Sequence, residues 1–212
     1  MAKVISIAHG KNRFDCLFSG TLGNKVYCIK NGIQYTRSRP VCASKPRTTA
    51  QLDHNAKFTA IMKFLQPLTV FLRVGFKCQT AHMSAFNAAM SYNLMNAIAG
   101  TNPEYTIDYS KVLVSMDTLP EALNPTAVSY SADEITFTWD DNRNAMANDR
   151  VVLVVYNPAK QLATIDGGNT RVKGIQIITL PADFSGDEVQ CYIAFQNAGR
   201  SIVSDSRFIG KI

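Results

Sequence analysis

Three histidines, five cysteines and a carboxylate-rich stretch near residue 140 are the side chains of this chain best suited to chemistry. His9, His54 and His82 stand far apart, and none sits in His-Glu-x-x-His or a comparable zinc spacing. Cys16, Cys28, Cys42, Cys78 and Cys191 contain no Cys-x-x-Cys pair, so zinc-ribbon and thioredoxin-like sites lose their main support. Their odd number and wide spacing read as reduced, structural thiols, which favours a reducing compartment. There is no Gly-x-Ser-x-Gly elbow and no Cys–His pair with a local signature. Gly20-Thr21-Leu22-Gly23-Asn24-Lys25 has the glycines and the cation of a phosphate loop, but a strand-prone run follows it. Without a helix N-terminus the anion-binding mechanism is missing. Asp140, Asp141 and Asp149, with Asn142, Asn144 and Asn148, offer hard oxygen ligands for calcium. Their spacing is not that of a calcium loop, and an exposed polar hairpin loop is the reading. The chain is therefore expected to be non-enzymatic, with no catalytic residue, no cofactor and no metal site.

Binding chemistry is easier to find. Arg37, Arg39, Lys45 and Arg47 place four cations and no anion in eleven residues. Pro40 and Pro46 keep that arm extended. Such an arm suits phosphate or an acidic protein surface. Tyr27 and Tyr35 lie just before it and supply aromatic faces. These six residues are the candidate partner-binding set.

The elements that must position them follow from periodicity. Val26–Lys30 and Ile33–Arg37 flank Asn31-Gly32, the strongest short hairpin signal, because both turn residues need positive φ. A two-residue turn pairs Cys28 with Tyr35 and Lys30 with Ile33, and puts Tyr27 on the opposite face. Thr48 or Thr49 caps a helix over about 50–74, with its stripe at Phe58, Ile61, Leu65, Leu68 and Leu72 and a break expected near Gln66, before Pro67. A second helix over about 83–99 starts at a Ser84 cap, carries Phe86, Met90, Leu94 and Ile98, and stops at Gly100. The two stripes are expected to pack on each other and on the hairpin sheet. Residues 105–115 read as a strand.

From Leu119-Pro120 and Asn124-Pro125 onward the pattern changes to short strands and turns. Ile135, Phe137 and Trp139 alternate, 151–156 is a buried-looking run, Gly167-Gly168 reads as a turn before 175–180, and Val189, Cys191, Ile193 and Phe195 alternate again, with 202–209 closing. At least five strands in this stretch point to a β-sandwich. The expected fold is thus an α+β domain over 1–119 (a hairpin and two or three helices), followed by an all-β immunoglobulin-like sandwich over 120–212.

Charge follows the same division. The 212 residues carry 22 Lys and Arg against 16 Asp and Glu, a net of +6. Residues 1–119 hold 14 basic and 5 acidic residues, net +9, whereas 120–212 hold 8 and 11, net −3. Hydrophobic residues make up 46% and charged residues 18%, which excludes a disordered or collagen-like chain. The apolar start is too short for a secretory signal, and Ile61 to Phe76 is interrupted by Lys63, Pro67 and Arg73 and is too short for a membrane span. A chain that stays in the cytoplasm as synthesised is expected.

Two resemblances rest on these residues. Val189-Gln-Cys-Tyr-Ile-Ala-Phe-Gln-Asn-Ala-Gly-Arg-Ser201 resembles the last two strands of a fibronectin type III or related immunoglobulin-like domain, with Ile135–Trp139 as the strand of the buried Trp. Val189 stands where that family's corner tyrosine would be, and the turn is one residue shorter. The whole chain resembles a bacterial family of unknown function, common in Bacteroidetes-type genomes, through Gly20–Asn24, Arg37–Pro40, Lys63–Pro67, Gly75-Phe76, Phe86–Leu94, Ile107–Val112 and Leu180–Asp187. That resemblance implies no reaction and no cofactor. Immunoglobulin-like modules recur in adhesins, phage particles and other assemblies, so the first expectation is a structural or interaction protein that docks a protein partner or another copy of itself. Nucleic-acid binding through the basic half is the alternative.

Overall fold

The computed structural model describes residues 3–6, 16–30, 33–41, 46–79, 83–101, 104–131, 133–140 and 145–212. The chain divides into two units, Met1–Arg47 and Thr48–Ile212.

The first unit is an antiparallel meander of β1 (Lys3–Ser6), β2 (Cys16–Leu22), β3 (Lys25–Lys30) and β4 (Ile33–Ser38), in that spatial order. Cys28 pairs with Tyr35 and Lys30 with Ile33, the register that an Asn-Gly turn dictates. Asn31-Gly32 itself lies outside the described residues.

The second unit opens where the backbone needs a cap. The Thr48 hydroxyl accepts from the Gln51 N–H at 3.3 Å, and the Gln51 side chain accepts from the Thr48 N–H at 3.0 Å, a reciprocal capping box that starts α1 (Thr49–Leu65). Pro67 has no N–H to continue the ladder, so the helix ends at Gln66 and resumes as α2 (Thr69–Gly75). Ser84 caps α3 (Ala85–Asn96). Ile61, Leu65, Leu68 and Leu72 are fully buried, whereas Phe58 is exposed.

On α3 the expected stripe of Phe86, Met90, Leu94 and Ile98 packs against the core, and small residues widen the buried face. Ala85, Ala88, Ala89, Met90 and Asn93 are buried, and Phe86, Leu94 and Ile98 only partly so. Small residues let α3 lie close to its neighbours. The helix also ends earlier than 99. Residues after Asn96 turn into β5 (Ile98–Thr101), which pairs with β6 (Glu104–Ile107). The expected strand over 105–115 stops at Ile107, and a 3₁₀ turn, Tyr109–Lys111, follows.

Seven more strands form two sheets. β7 (Leu123–Ser131), β8 (Glu134–Asp140) and β11 (Ile175–Thr179) lie in the order β11-β8-β7. β9 (Arg150–Asn157), β10 (Leu162–Thr170), β12 (Gln190–Gln196) and β13 (Arg207–Lys211) lie in the order β10-β9-β12-β13. Gly167-Gly168, expected as a turn, lies inside β10 where its register with β9 shifts. The last strand begins at Arg207 rather than 202.

The sheet containing β9 and β12 is buried on both faces, which is why 151–156 lacks alternation. Val151, Leu153 and Val155, with Cys191, Ile193 and Phe195, meet Ile135, Phe137 and Trp139 of β8. Val152, Val154 and Tyr156, with Tyr192 and Ala194, meet Phe64, Leu68, Leu72 and Met90 from the helical layer. Phe64 sets its ring edge-on to Tyr156, centroids 4.7 Å apart. Helices, central sheet and outer sheet thus make three layers in one unit.

That layering moves the domain boundary from 119/120 to 47/48. The helices cover one face of the central sheet and share a core with it. Buried polar groups stitch the same joint. Asn93 donates to the Ala89 and Leu113 carbonyls, each at 2.9 Å, and accepts from the Leu113 N–H at 3.0 Å. Ser206 Oγ accepts from the Val114 N–H at 2.8 Å, and Ser115 Oγ donates to the Ser204 carbonyl at 2.8 Å. The helices are thereby packed on β9 and β12. The protein is a mixed α+β chain, and no helix among the described residues is long and apolar enough to cross a membrane.

Candidate interaction surfaces

The expected binding residues lie mainly on the first unit. Arg37 of β4 and Arg39 just beyond it are exposed, and Arg39 donates its N–H to the Asn24 carbonyl at 2.8 Å, which ties the end of the hairpin to the β2–β3 turn. Tyr35 is exposed and Tyr27 half-buried. Tyr27 pairs with Thr36 and Cys28 with Tyr35, so the two tyrosines face opposite sides of the sheet. They do not form one stacking platform. Arg47 is exposed immediately before the α1 cap. Lys45 lies outside the described residues.

One face of the β3–β4 ribbon combines Val26, Cys28, Ile33, Tyr35 and Arg37. Ile33 and Tyr35 are exposed large apolar side chains, as are Leu22 and Val41 of the same unit. Among the side chains described in Met1–Arg47, none is buried. A sheet normally buries one face, and the described side chains of this one leave both faces at least partly exposed. The charge boundary coincides with the structural one. Residues 1–47 hold nine basic residues and one acid, net +8, and 48–212 hold 13 and 15, net −2.

The second unit has two clefts beside its helices. A cleft of about 530 Å³ opens between α2 and the ends of β9 and β10. Its polar side chains are Arg150, Asp166, Gln196 and Arg200, with no His, Cys, Ser, Tyr or Lys among its lining residues. Asp166 accepts from Gln176 Nε2 at 2.7 Å. A second cleft, of about 410 Å³, is lined by Lys63 and the tyrosines Tyr105, Tyr109 and Tyr156. Burial, reinforced by Tyr109, pushes the Tyr156 phenol up to about 12, and burial raises Tyr109 too, so neither is poised for proton transfer near neutrality. Tyr105 donates to Asp53, which also pairs with Lys57 at 2.9 Å. The Cys191 thiol is driven to about 12 by burial, the behaviour of a structural cysteine. Cys78 is exposed and donates to the Met116 carbonyl at 3.0 Å. Among the described residues no group of three or more His, Cys, Asp and Glu side chains is arranged for a metal ion.

In the 140–149 stretch the two described carboxylates have structural partners. Asp149 is buried, with Oδ2 3.4 Å from Nε of the equally buried Arg171. Asp140 accepts from Asn124 Nδ2 at 2.8 Å. Asp141, Asn142 and Asn144 lie outside the described residues. No sequence signal marks Arg171, because one cation in a polar stretch looks like a solvated one.

The chain belongs to a family of unknown function, DUF6266, whose model matches residues 17–210. Among solved structures it is similar to the fibronectin type III domain of the human collagen alpha-1(XX) chain, at 13% identity, covering 43% of this chain and 82% of that one, with a TM-score of 0.33. No curated protein sequence matches it.

Proposed function

We propose that this DUF6266 member is a non-catalytic interaction protein that assembles with an acidic protein surface through its basic N-terminal sheet, that surface being provided by another copy of the chain. The observation that supports this is the first unit itself. It has a net charge of +8, exposes Ile33, Tyr35, Leu22 and Val41, and buries none of its described side chains. A sheet with exposed apolar side chains has surface to bury, and cations beside them favour an anionic partner. The second unit acts as the scaffold. Its strand connectivity, β11-β8-β7 against β10-β9-β12-β13, suits an immunoglobulin-like sandwich of the fibronectin type III kind, whose edges and faces serve as docking surfaces.

Heterologous contact between a basic unit and an acidic one propagates into rings or filaments. Static light scattering at low and high salt tests the reading. Concentration-dependent association that weakens with salt supports it, and a monomer at every salt and concentration removes it. Nucleic-acid binding competes on charge alone, and the opposed faces of Tyr27 and Tyr35 weigh against it. Filter binding to single- and double-stranded DNA and RNA separates the two, since binding whose affinity falls steeply with salt would transfer the basic unit to the nucleic-acid reading.

A further inference from the structure

The outer face of the three-stranded sheet leaves a group of large apolar side chains exposed. The pairing register sets it out in rows. Ile175, Thr138 and Thr126 stand side by side, and Ile177, Thr136 and Val128 form the next row. Ile175 is 41% exposed, Ile177 53%, Val128 44% and the neighbouring Tyr130 83%. The inward residues of the same strands, Ile135, Phe137, Trp139 and Ile178, already fill the sandwich core. These outward ones lie outside that core.

The charges on this sheet have one sign. Its three strands contain no Lys or Arg, and their only charged residues are Glu134 and Asp140, both exposed, at opposite ends of β8. The outcome is a flat β-branched patch with an acid at each end. The Ile33–Tyr35–Arg37 face of the first unit has the reciprocal composition, apolar side chains beside cations.

We infer that the outer face of β7, β8 and β11 is the docking site for the β3–β4 face of a second copy, with Ile33 and Tyr35 on the Ile177–Thr136–Val128 row and Arg37 and Arg39 directed to the acids of β8. This rests on the self-association proposed above and names its receiving surface. Sheets stack about 10 Å apart when side chains of both faces interdigitate, and flat rows of Ile, Thr and Val suit that packing. The contact is heterologous, so each copy offers one donor face and one acceptor face.

The test uses the full chain in sedimentation velocity. Ile177→Glu puts a charge in the Ile177–Thr136–Val128 row of the acceptor face at a half-exposed position, and Val128→Glu is the second probe should the first lower stability. Either is expected to weaken association at least tenfold while the circular dichroism spectrum is retained. Two charge-reversed proteins complete the experiment. One carries Glu134→Lys and Asp140→Lys, the other Arg37→Glu and Arg39→Glu. Each alone is expected to associate weakly, and an equimolar mixture is expected to recover association. Wild-type association that survives Ile177→Glu and Val128→Glu would overturn this face and leave self-association standing. A wild-type monomer would remove both. Failure of the mixture to recover would overturn the pairing of these two faces.

Discussion

The guanidinium carbon of Arg171 lies 3.6 Å from the centroid of the Phe195 ring, and neither side chain reaches solvent. A cation held that deep needs partners on every side. Its Nε faces Asp149 Oδ2 at 3.4 Å, and its two terminal nitrogens donate to the carbonyls of Glu121 and Pro120 at 3.1 and 2.7 Å. Its own carbonyl accepts from Trp139 Nε1 at 2.7 Å. One residue thus ties the segment entering β7 to β8 and β12.

Removing that cation is expected to be costly. Arg171→Met leaves Asp149 buried and unpaired, which typically destabilises by about 3–5 kcal/mol. Chemical denaturation of Arg171→Met should show a loss of that size, and the double variant Arg171→Met, Asp149→Leu should recover much of it. A double variant no better than the single one would mean that the backbone contacts to residues 120 and 121 outweigh the charge pair.

Asn93 performs the corresponding task for the helices. Its amide satisfies both backbone groups of Leu113 inside the protein. Asn93→Leu strands those groups and is expected to cost about 1–3 kcal/mol. Thermal melts should record it. An unchanged midpoint would mean that water or a rearranged Leu113 replaces the amide.

What could be read from residue order and what could not follows from where each signal is stored. The Asn31-Gly32 register, the Thr48 and Ser84 caps and the interruption at Pro67 are written within a few residues of one another, and the structure has the pairing, both caps and the break at Gln66. The α3 stripe of Phe86, Met90, Leu94 and Ile98 packs against the core, but the burial of Ala88, Ala89 and Asn93 beside it is not legible, because small and polar residues carry little apolar signal. The domain boundary failed because a change from helices to strands is visible along the chain, while the burial of Val152 and Val154 under the helices is not. Arg171 and Asn93 gain their roles from partners across the fold. Of the candidate binding residues, Arg37, Arg39 and Tyr35 could be found from composition, and the outer-face row of Ile177 and Val128 could not, because alternation in β11 and β7 does not say which side is covered.

The thiols should differ sharply in reactivity. Cys191 is fully buried and its thiol is raised to about 12, so its thiolate is scarce near pH 8. Cys78 is exposed, with its thiol raised first by burial and then by the charge of Asp117. Iodoacetamide at pH 8, read by peptide mass mapping, should label Cys78 more slowly than a free peptide thiol and Cys191 only after unfolding. Rapid native labelling of Cys191 would contradict the packing of β12.

Acid should weaken the turn after β9. Asp187 accepts from Asn157 Nδ2 at 2.8 Å and pairs with Lys160 at 3.0 Å, and these two contacts hold its carboxyl below the ordinary value of 3.8. A depressed carboxyl stabilises the fold above its unfolded value and loses that contribution as pH falls through the folded one. Asp187→Asn is therefore expected to be less stable than wild type near neutrality and to converge with it as pH falls through the depressed folded value. Parallel stability curves for the two proteins from pH 7 to pH 2 would contradict this.

The layering makes a direct prediction about truncation. Residues 48–212 contain every buried side chain described, so that fragment is expected to fold cooperatively by itself. Residues 120–212 hold all seven sandwich strands but lose the helices over Val152, Val154, Tyr156 and Tyr192. Burying a large apolar side chain is worth about 1.5–3 kcal/mol, so uncovering four of them removes an amount comparable to a whole domain's stability. The shorter fragment should aggregate or lack a cooperative melt, whereas 48–212 should give one sharp transition by calorimetry. A cooperative 120–212 fragment would restore the boundary at 119/120 and reduce the helices to an appendage.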